Sequence, residues 1–211
     1  MSITLKVLES NNFLVKEINK AIAAQLNDRI SKNKNKAIKQ LRNIIPSWIS
    51  SSPEIQSLNE EGVQFSLNAQ FGLPDGQAAA ATSAIIASVA DSIQVNFRKV
   101  PDNLRVTLEF AIQPVSFTNL LSIPEGTVIT QTNGTPLPWM DWLLNLGSTI
   151  IVAGYTYVPE LEGRSGGGTM NAGFGWRVPP QFAGTPDDNF ITRALANRDS
   201  QLAPILQGLI T

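Results

Sequence analysis

The chain contains no histidine and no cysteine. Without cysteine there are no disulfides, no thiolate metal sites and no cysteine nucleophile. Such a chain is indifferent to redox state, which suits a protein assembled in a cytoplasm and later exposed outside it. Without histidine a serine nucleophile lacks its usual base, and no Gly-x-Ser-x-Gly elbow is present. Long apolar runs are missing too. None approaches the roughly 18 residues a membrane-spanning helix needs. The longest candidate, Ala78–Ala90, is interrupted by Thr82, Ser83 and Ser88, so no membrane association is expected. At the N-terminus, Lys6 and Glu9 stand where an export signal would place its apolar core, and none is expected.

What is present is 211 residues, 43% of them hydrophobic, enough to bury a core. The net charge of −1 is unevenly spread. Residues 1–50 hold nine Lys/Arg against three Asp/Glu, and the remainder seven against fourteen, giving +6 and −7. Segments of opposite sign attract, within one molecule or between copies. The alternative is a solvated basic helix face.

Ile18, Ile22, Leu26 and Ile30, then Ala37, Ile38, Leu41, Ile44, Ile45 and Trp48, recur at helical spacing. They predict a helix from about Asn11 to Ile45, kinked or interrupted near Asn33–Asn35 and ended or bent by Pro46. A short helix over Pro53–Leu58 follows. Val63, Phe65, Leu67, Ala69 and Phe71 alternate with polar residues, the pattern of a strand with one wet face. Ala78–Ser88 reads as a helix. Ile93, Val95 and Phe97, then Leu104–Gln113, read as strands joined at the turn Val100–Asn103. Val128–Thr132 reads as a short strand before Asn133-Gly134. Pro138–Gly147 has the proline start and glycine end of a short helix, and Thr149–Tyr157 is rich in strand-forming residues.

Eight of the fifteen glycines fall between Gly154 and Gly184, so Glu160–Arg177 reads as a long, mobile loop. Thr185-Pro-Asp-Asp188 reads as the start of a helix carrying Phe190, Ile191, Ala194 and Leu195. A last amphipathic segment places Leu202, Ile205, Leu206 and Leu209 on one side. The fold class is therefore α+β: a long N-terminal helix, an antiparallel or mixed sheet packed with helices, and a C-terminal helix. The simplest organisation is a single domain over 1–211 with an N-terminal helical arm at about 11–50.

Catalytic chemistry has little to stand on. The glycine run around Arg164 lacks the Gly-Lys-Ser/Thr ending of a phosphate loop, no calcium-loop spacing appears, and no cofactor or metal is expected. Asp187-Asp188 is explained by its helix-start position. A carboxylate-based enzyme or a Ser–Lys dyad has nothing pointing to it. The interface candidates are more numerous. Lys32, Lys34, Lys36, Lys39 and Arg42 form a basic stretch without an interleaved aromatic. Glu162 flanks the glycine loop, with Glu160, as a partner for a neighbour's arginine or, alternatively, for a cation. Arg164 is an ion-pairing residue on that loop, and Arg177 closes it. Trp139, Trp142 and Trp176 are possible contact anchors, with core packing the better account of Trp142 than of Trp176.

The order of elements around Tyr155-Thr-Tyr157, then Glu162-Gly-Arg-Ser-Gly-Gly-Gly-Thr-Met170, then Phe190-Ile-Thr-Arg-Ala-Leu195, resembles the tail-completion and neck proteins of tailed bacteriophages. The resemblance covers mainly residues 150–195. It implies a structural, non-enzymatic virion subunit assembled in the host cytoplasm, with no cofactor. Copies would form a ring, of six or alternatively twelve, between capsid and tail. The partners implied are adjacent neck and tail proteins, and DNA that passes through the channel without specific binding. The glycine-rich loop would adapt to the adjoining ring. The alternatives are a tail terminator or baseplate component, or a nucleic-acid-binding accessory protein using the basic helix.

Overall fold

A computed structural model describes residues 10–105, 107–130 and 134–211. In chain order the elements are α1 (Asn11–Ser50), α2 (Pro53–Leu58), α3 (Leu67–Phe71), α4 (Gln77–Ser92), β1 (Gln94–Phe97) and β2 (Leu108–Ala111). There follow α5 (Thr118–Leu121), a 3-10 turn (Pro124–Gly126), β3 (Val128–Ile129), β4 (Pro136–Leu137) and α6 (Trp139–Leu144). The chain ends with β5 (Val152–Val158), β6 (Thr169–Trp176), α7 (Phe190–Leu195) and α8 (Asp199–Ile210). The class is α+β, with the long N-terminal and the C-terminal helices in place. Among the described residues the strands form three separate two-stranded antiparallel ribbons rather than one sheet. The chain divides into two compact units.

The first unit takes residues up to Leu41, Gln94–Ala111 and Asp199–Thr211. Ala23 and Ile30 on α1 bury against Val100, with Leu26, Phe97, Leu104 and Leu108 around them. β1 and β2 pair from Gln94↔Ala111 to Phe97↔Leu108. Asn27 grips the connection: its Nδ2 donates to the Val100 carbonyl (3.3 Å) and its Oδ1 accepts from the Val100 amide (2.8 Å). α8 buries Ile205 and Leu209. Two α1 side chains, Arg29 and Asn33, donate to its last carbonyls at Ile210 and Leu209, where a helix end otherwise lacks partners.

The second unit takes Arg42–Ile93 and Ile112–Arg198. Its centre is aromatic. Phe71 stands 5.5 Å from Trp139 and 5.5 Å, edge-on, from Trp176. The Trp139 indole donates to the Glu125 carbonyl (3.1 Å), and Gln77 on α4 ties down the same turn through Glu125 and Thr127.

Four expectations are corrected here. α1 runs unbroken through Asn33–Asn35 and past Pro46 to Ser50. Ile45, Trp48 and Ile49 are buried, so packing outweighs the lost hydrogen bond. Residues 63–71 are not a strand but a turn and helix α3, capped by Ser66 at its start and by Gly72 in the left-handed region at its end. The polar residues of the alternating pattern are the reason: Asn68 and Gln70 are buried as deeply as Leu67 and Ala69, so no wet face exists. The Asn68 amide donates to the Leu58 carbonyl, and the Gln70 carbonyl accepts from the Trp176 indole. α7 starts after Asn189, not Thr185. Asn189 Oδ1 accepts from the Ile191 and Thr192 amides, while Thr192 Oγ1 accepts from the Asn189 amide. Thr185 closes a preceding turn with Asp188. The strand read over Leu104–Gln113 shortens to β2, with Val106 outside the described residues; the N-terminal segment and Thr132-Asn133 also lie outside them.

Candidate functional site

The glycine-rich stretch is the segment the sequence singles out, and its structure differs from a mobile loop. Its second half is strand β6, paired with β5 from Val152↔Trp176 to Val158↔Thr169, with an irregularity between Ala153 and Tyr155. The part outside the strands, residues 159–168, is locked onto the segment before and within α3. The Tyr157 hydroxyl donates to the Gly167 carbonyl (2.7 Å) and accepts from the Phe65 amide (3.1 Å). Its ring meets Phe65 edge-on at 5.8 Å. Ser165 is buried; its carbonyl accepts from the Gly62 amide and its hydroxyl donates to the Ala69 carbonyl.

The glycines here are sterically required. A Cβ on Gly167 would lie 2.6 Å from Ala69 Cβ, and one on Gly163 would run into the Gly168 carbonyl. Gly168 has φ +150° with the Tyr157 hydroxyl 2.5 Å from where a Cβ would stand. The run is glycine because the Gly168 and Val63 carbonyls, Ala69 and the Tyr157 ring leave no room for a side chain, not because the chain needs to move.

Arg164 is not in an ion pair among the described residues. Its Nε donates to the Gly72 carbonyl (2.8 Å) and its Nη1 to the Ile129 carbonyl (3.1 Å). The first carbonyl belongs to the residue that caps the end of α3 and the second to strand β3, so the guanidinium clasps the loop to α3 and to the β3–β4 ribbon. It stands on the wall of a cleft of about 410 Å³, lined also by Phe71, Val128, Leu137, Tyr155 and Trp176. A cleft of this size and apolar character can hold a side chain or a small ligand.

Other candidate residues are dispersed. Glu162 and Arg177 are exposed. Trp176 is a core residue, packed on Phe71 and bonded to Gln70, and does not stand at the surface. On α1, Lys32 pairs with Asp28 one turn away (2.7 Å), Lys36 and Lys39 are exposed, and Lys34 is half-buried. Arg42 belongs to the second unit, where its Nε donates to the Ala90 carbonyl and its Nη2 lies 3.5 Å from Asp91.

One polar constellation has no local signal in the sequence. Glu54, buried on α2, accepts from Arg193 on α7 at 2.6 Å, and Arg193 also reaches Asp188 at 2.9 Å. Burial alone would lower the Arg193 pKa, but the hydrogen bonds and charges of Glu54 and Asp188 outweigh it and hold the value above the ordinary one. The stabilisation this carries is present below the ordinary arginine pKa and is lost only at pH above it. Arg193 therefore stays charged at any working pH, and the pair acts as a structural tie rather than a proton carrier. Glu54 and Arg193 lie 139 positions apart, which no spacing rule anticipates. The Asn189 cap, by contrast, carries a local signal, an asparagine just before an apolar pair, although Thr192 stands where the usual reciprocal cap has Glu or Gln.

Among the described residues no three His, Cys, Asp or Glu side chains converge to hold a metal, and no helix is long and apolar enough to cross a membrane. No protein-family model matches the chain, and neither the curated proteins nor the solved structures contain a match to it.

Proposed function

We propose that this chain is a structural subunit that assembles with copies of itself into a ring, and that the ring is the neck connector between capsid and tail of a tailed bacteriophage. Six copies, or alternatively twelve, would surround a channel that DNA crosses without specific binding. Adjacent neck and tail proteins would be its partners.

The observation that carries the assembly reading is the β5–β6 ribbon. Its two ends are locked into the second unit, yet residues 153–156 and 171–174 are exposed, and Phe174 is fully exposed. Neither outer edge pairs with another strand among the described residues. A two-stranded ribbon is marginal alone, and open edges invite pairing with another chain. A subunit contact would resolve both. The phage reading rests on the resemblance of the Tyr155–Tyr157 strand, the following acid-and-glycine segment and the Phe190–Leu195 helix, which here are β5, the clasped loop and α7.

The test is the mass in solution, alone and after mixing with virion neck proteins. A closed ring in either state is the expected result. A monomer in both states that instead shifts on short duplex DNA would replace this reading with that of a nucleic-acid-binding module.

A further inference from the structure

Two surfaces on this chain have matching chemistry and neither is covered by the unit that bears it. The first is the outer face of α1. Leu14, Val15, Ile18 and Ile22 are exposed there, while Ala23 and Ile30 on the neighbouring face are buried. Eighteen residues are five helical turns, about 27 Å. Lys32 and Lys36 therefore lie on the same line as Leu14 and Ile18. One face of α1 is thus apolar toward its start and basic further along. Lys36 makes no ion pair among the described residues, and Lys32 shares Asp28 on an exposed surface, where such a pair contributes little.

The second surface is a corner of the second unit. The Gly62 backbone amide donates to the Ser165 carbonyl (3.2 Å) and Gln64 Nε2 to the Pro159 carbonyl (3.1 Å), which sets residues 60–65 beside 159–165. This joins three exposed apolar side chains, Val63, Phe65 (63% exposed) and Leu161. It also rims them with Glu60, Glu61, Glu160 and Glu162, all exposed and none in an ion pair among the described residues. Arg164, the cation of this loop, is turned to the Gly72 and Ile129 carbonyls.

We infer that the exposed face of α1 on one copy docks on the Val63–Phe65–Leu161 corner of the next copy. Ile18 and Ile22 would cover the apolar side chains, and Lys32 and Lys36 would meet the glutamates. The occupant is a second copy because both halves of the match are carried by this chain, and their charges are opposite. The two faces differ, so the contact is heterologous and propagates from copy to copy, closing into a ring where the rotation allows. This deepens the assembly reading and rests on it.

The experiment is sedimentation velocity on the full chain at rising concentration and at low and high salt, alone and with virion neck proteins. The paired changes Lys32→Glu/Lys36→Glu and Glu160→Lys/Glu162→Lys should each return the assembly toward the 22.8 kDa monomer. Combining the two pairs should restore it, and high salt should weaken the wild-type assembly. Ile18→Ser/Ile22→Ser should also dissociate it. Circular dichroism then checks that helix content is kept, which exposed positions permit. An assembly that all these variants leave unchanged overturns this contact and leaves the ring reading standing. A wild-type chain that stays monomeric alone and in the mixture overturns both.

Discussion

The two units are stabilised by different means. Among the described residues the second owns most of the large side chains that are wholly buried, among them Trp139, Phe190, Ile55, Leu67 and Ile85, whereas the first owns Ile30, Leu41, Val95 and Leu209. The first leans on side chains that grip backbone: Asn27 on Val100, Arg29 and Asn33 on the end of α8. It also leaves a row of apolar residues on α1 uncovered. Burial grows faster than surface as a unit enlarges, so the smaller unit has less of the hydrophobic term to draw on. The contrast implies that damage to the second unit is costly anywhere near its aromatic centre. Damage to the first is decided by a few polar clamps.

The largest effect should come from emptying that centre. Trp139→Ala should cost about 3–5 kcal/mol in urea unfolding, because Trp139 is buried against Phe71 and its indole holds Glu125. A cost near 1 kcal/mol would mean the centre collapses around the gap and the contrast is shallow. Next, Arg193→Ala should cost about 2 kcal/mol, measured the same way. It leaves Glu54 buried without its cation, while the partial exposure of Arg193 keeps the loss below that of a fully buried pair. Replacing Glu54 and Arg193 together by Met should recover most of that loss, and no recovery would assign the effect to packing. Smaller still, Tyr157→Phe should cost about 1–2 kcal/mol, since one hydroxyl serves both the Gly167 carbonyl and the Phe65 amide. Hydrogen exchange should quicken at Phe65 first. The mildest global effect is expected from Asn27→Ala, about 1 kcal/mol. Its signature should be local: faster exchange in Gln94–Ala111 with α3 and α6 unaltered. Uniform acceleration would show the two units to be one cooperative body.

How much of this could be read from the sequence depended on whether the forces were local. α1, α2, α4, α8 and the β1–β2 hairpin were legible because a repeating apolar face or a turn lies within each segment. Residues 63–71 were not. Alternation was real, but Asn68 and Gln70 are satisfied by Leu58 and Trp176, partners that periodicity does not contain. The helix start at Thr185 carried the right residue types and lost to Asn189, whose side chain also reaches the Thr185 carbonyl. Of the candidate contact residues, the exposed charges of α1 and Glu162 are where a surface reading puts them. Trp176 was drawn inward by Phe71, and Arg164, though exposed, is held by two carbonyls rather than by an acid. The glycine run was noticed for the right reason, its density, and misread in kind. Glycine marks close approach as well as freedom, and only the opposing backbone tells them apart.

That close approach bears on handling the protein. A run such as Arg164-Ser-Gly-Gly-Gly168 looks in sequence like a natural place for a protease to cut or an engineer to insert a tag. The bond after Arg164 leads straight into a buried serine, and beyond it Gly167 is hemmed by Ala69 and the Val63 carbonyl and Gly168 by the Tyr157 ring. Trypsin should spare that bond in the folded chain, and insertions there should be among the least tolerated in the molecule. The Pro74-Asp-Gly76 turn, where a Cβ on Gly76 would meet nothing, is the better place to add to this protein.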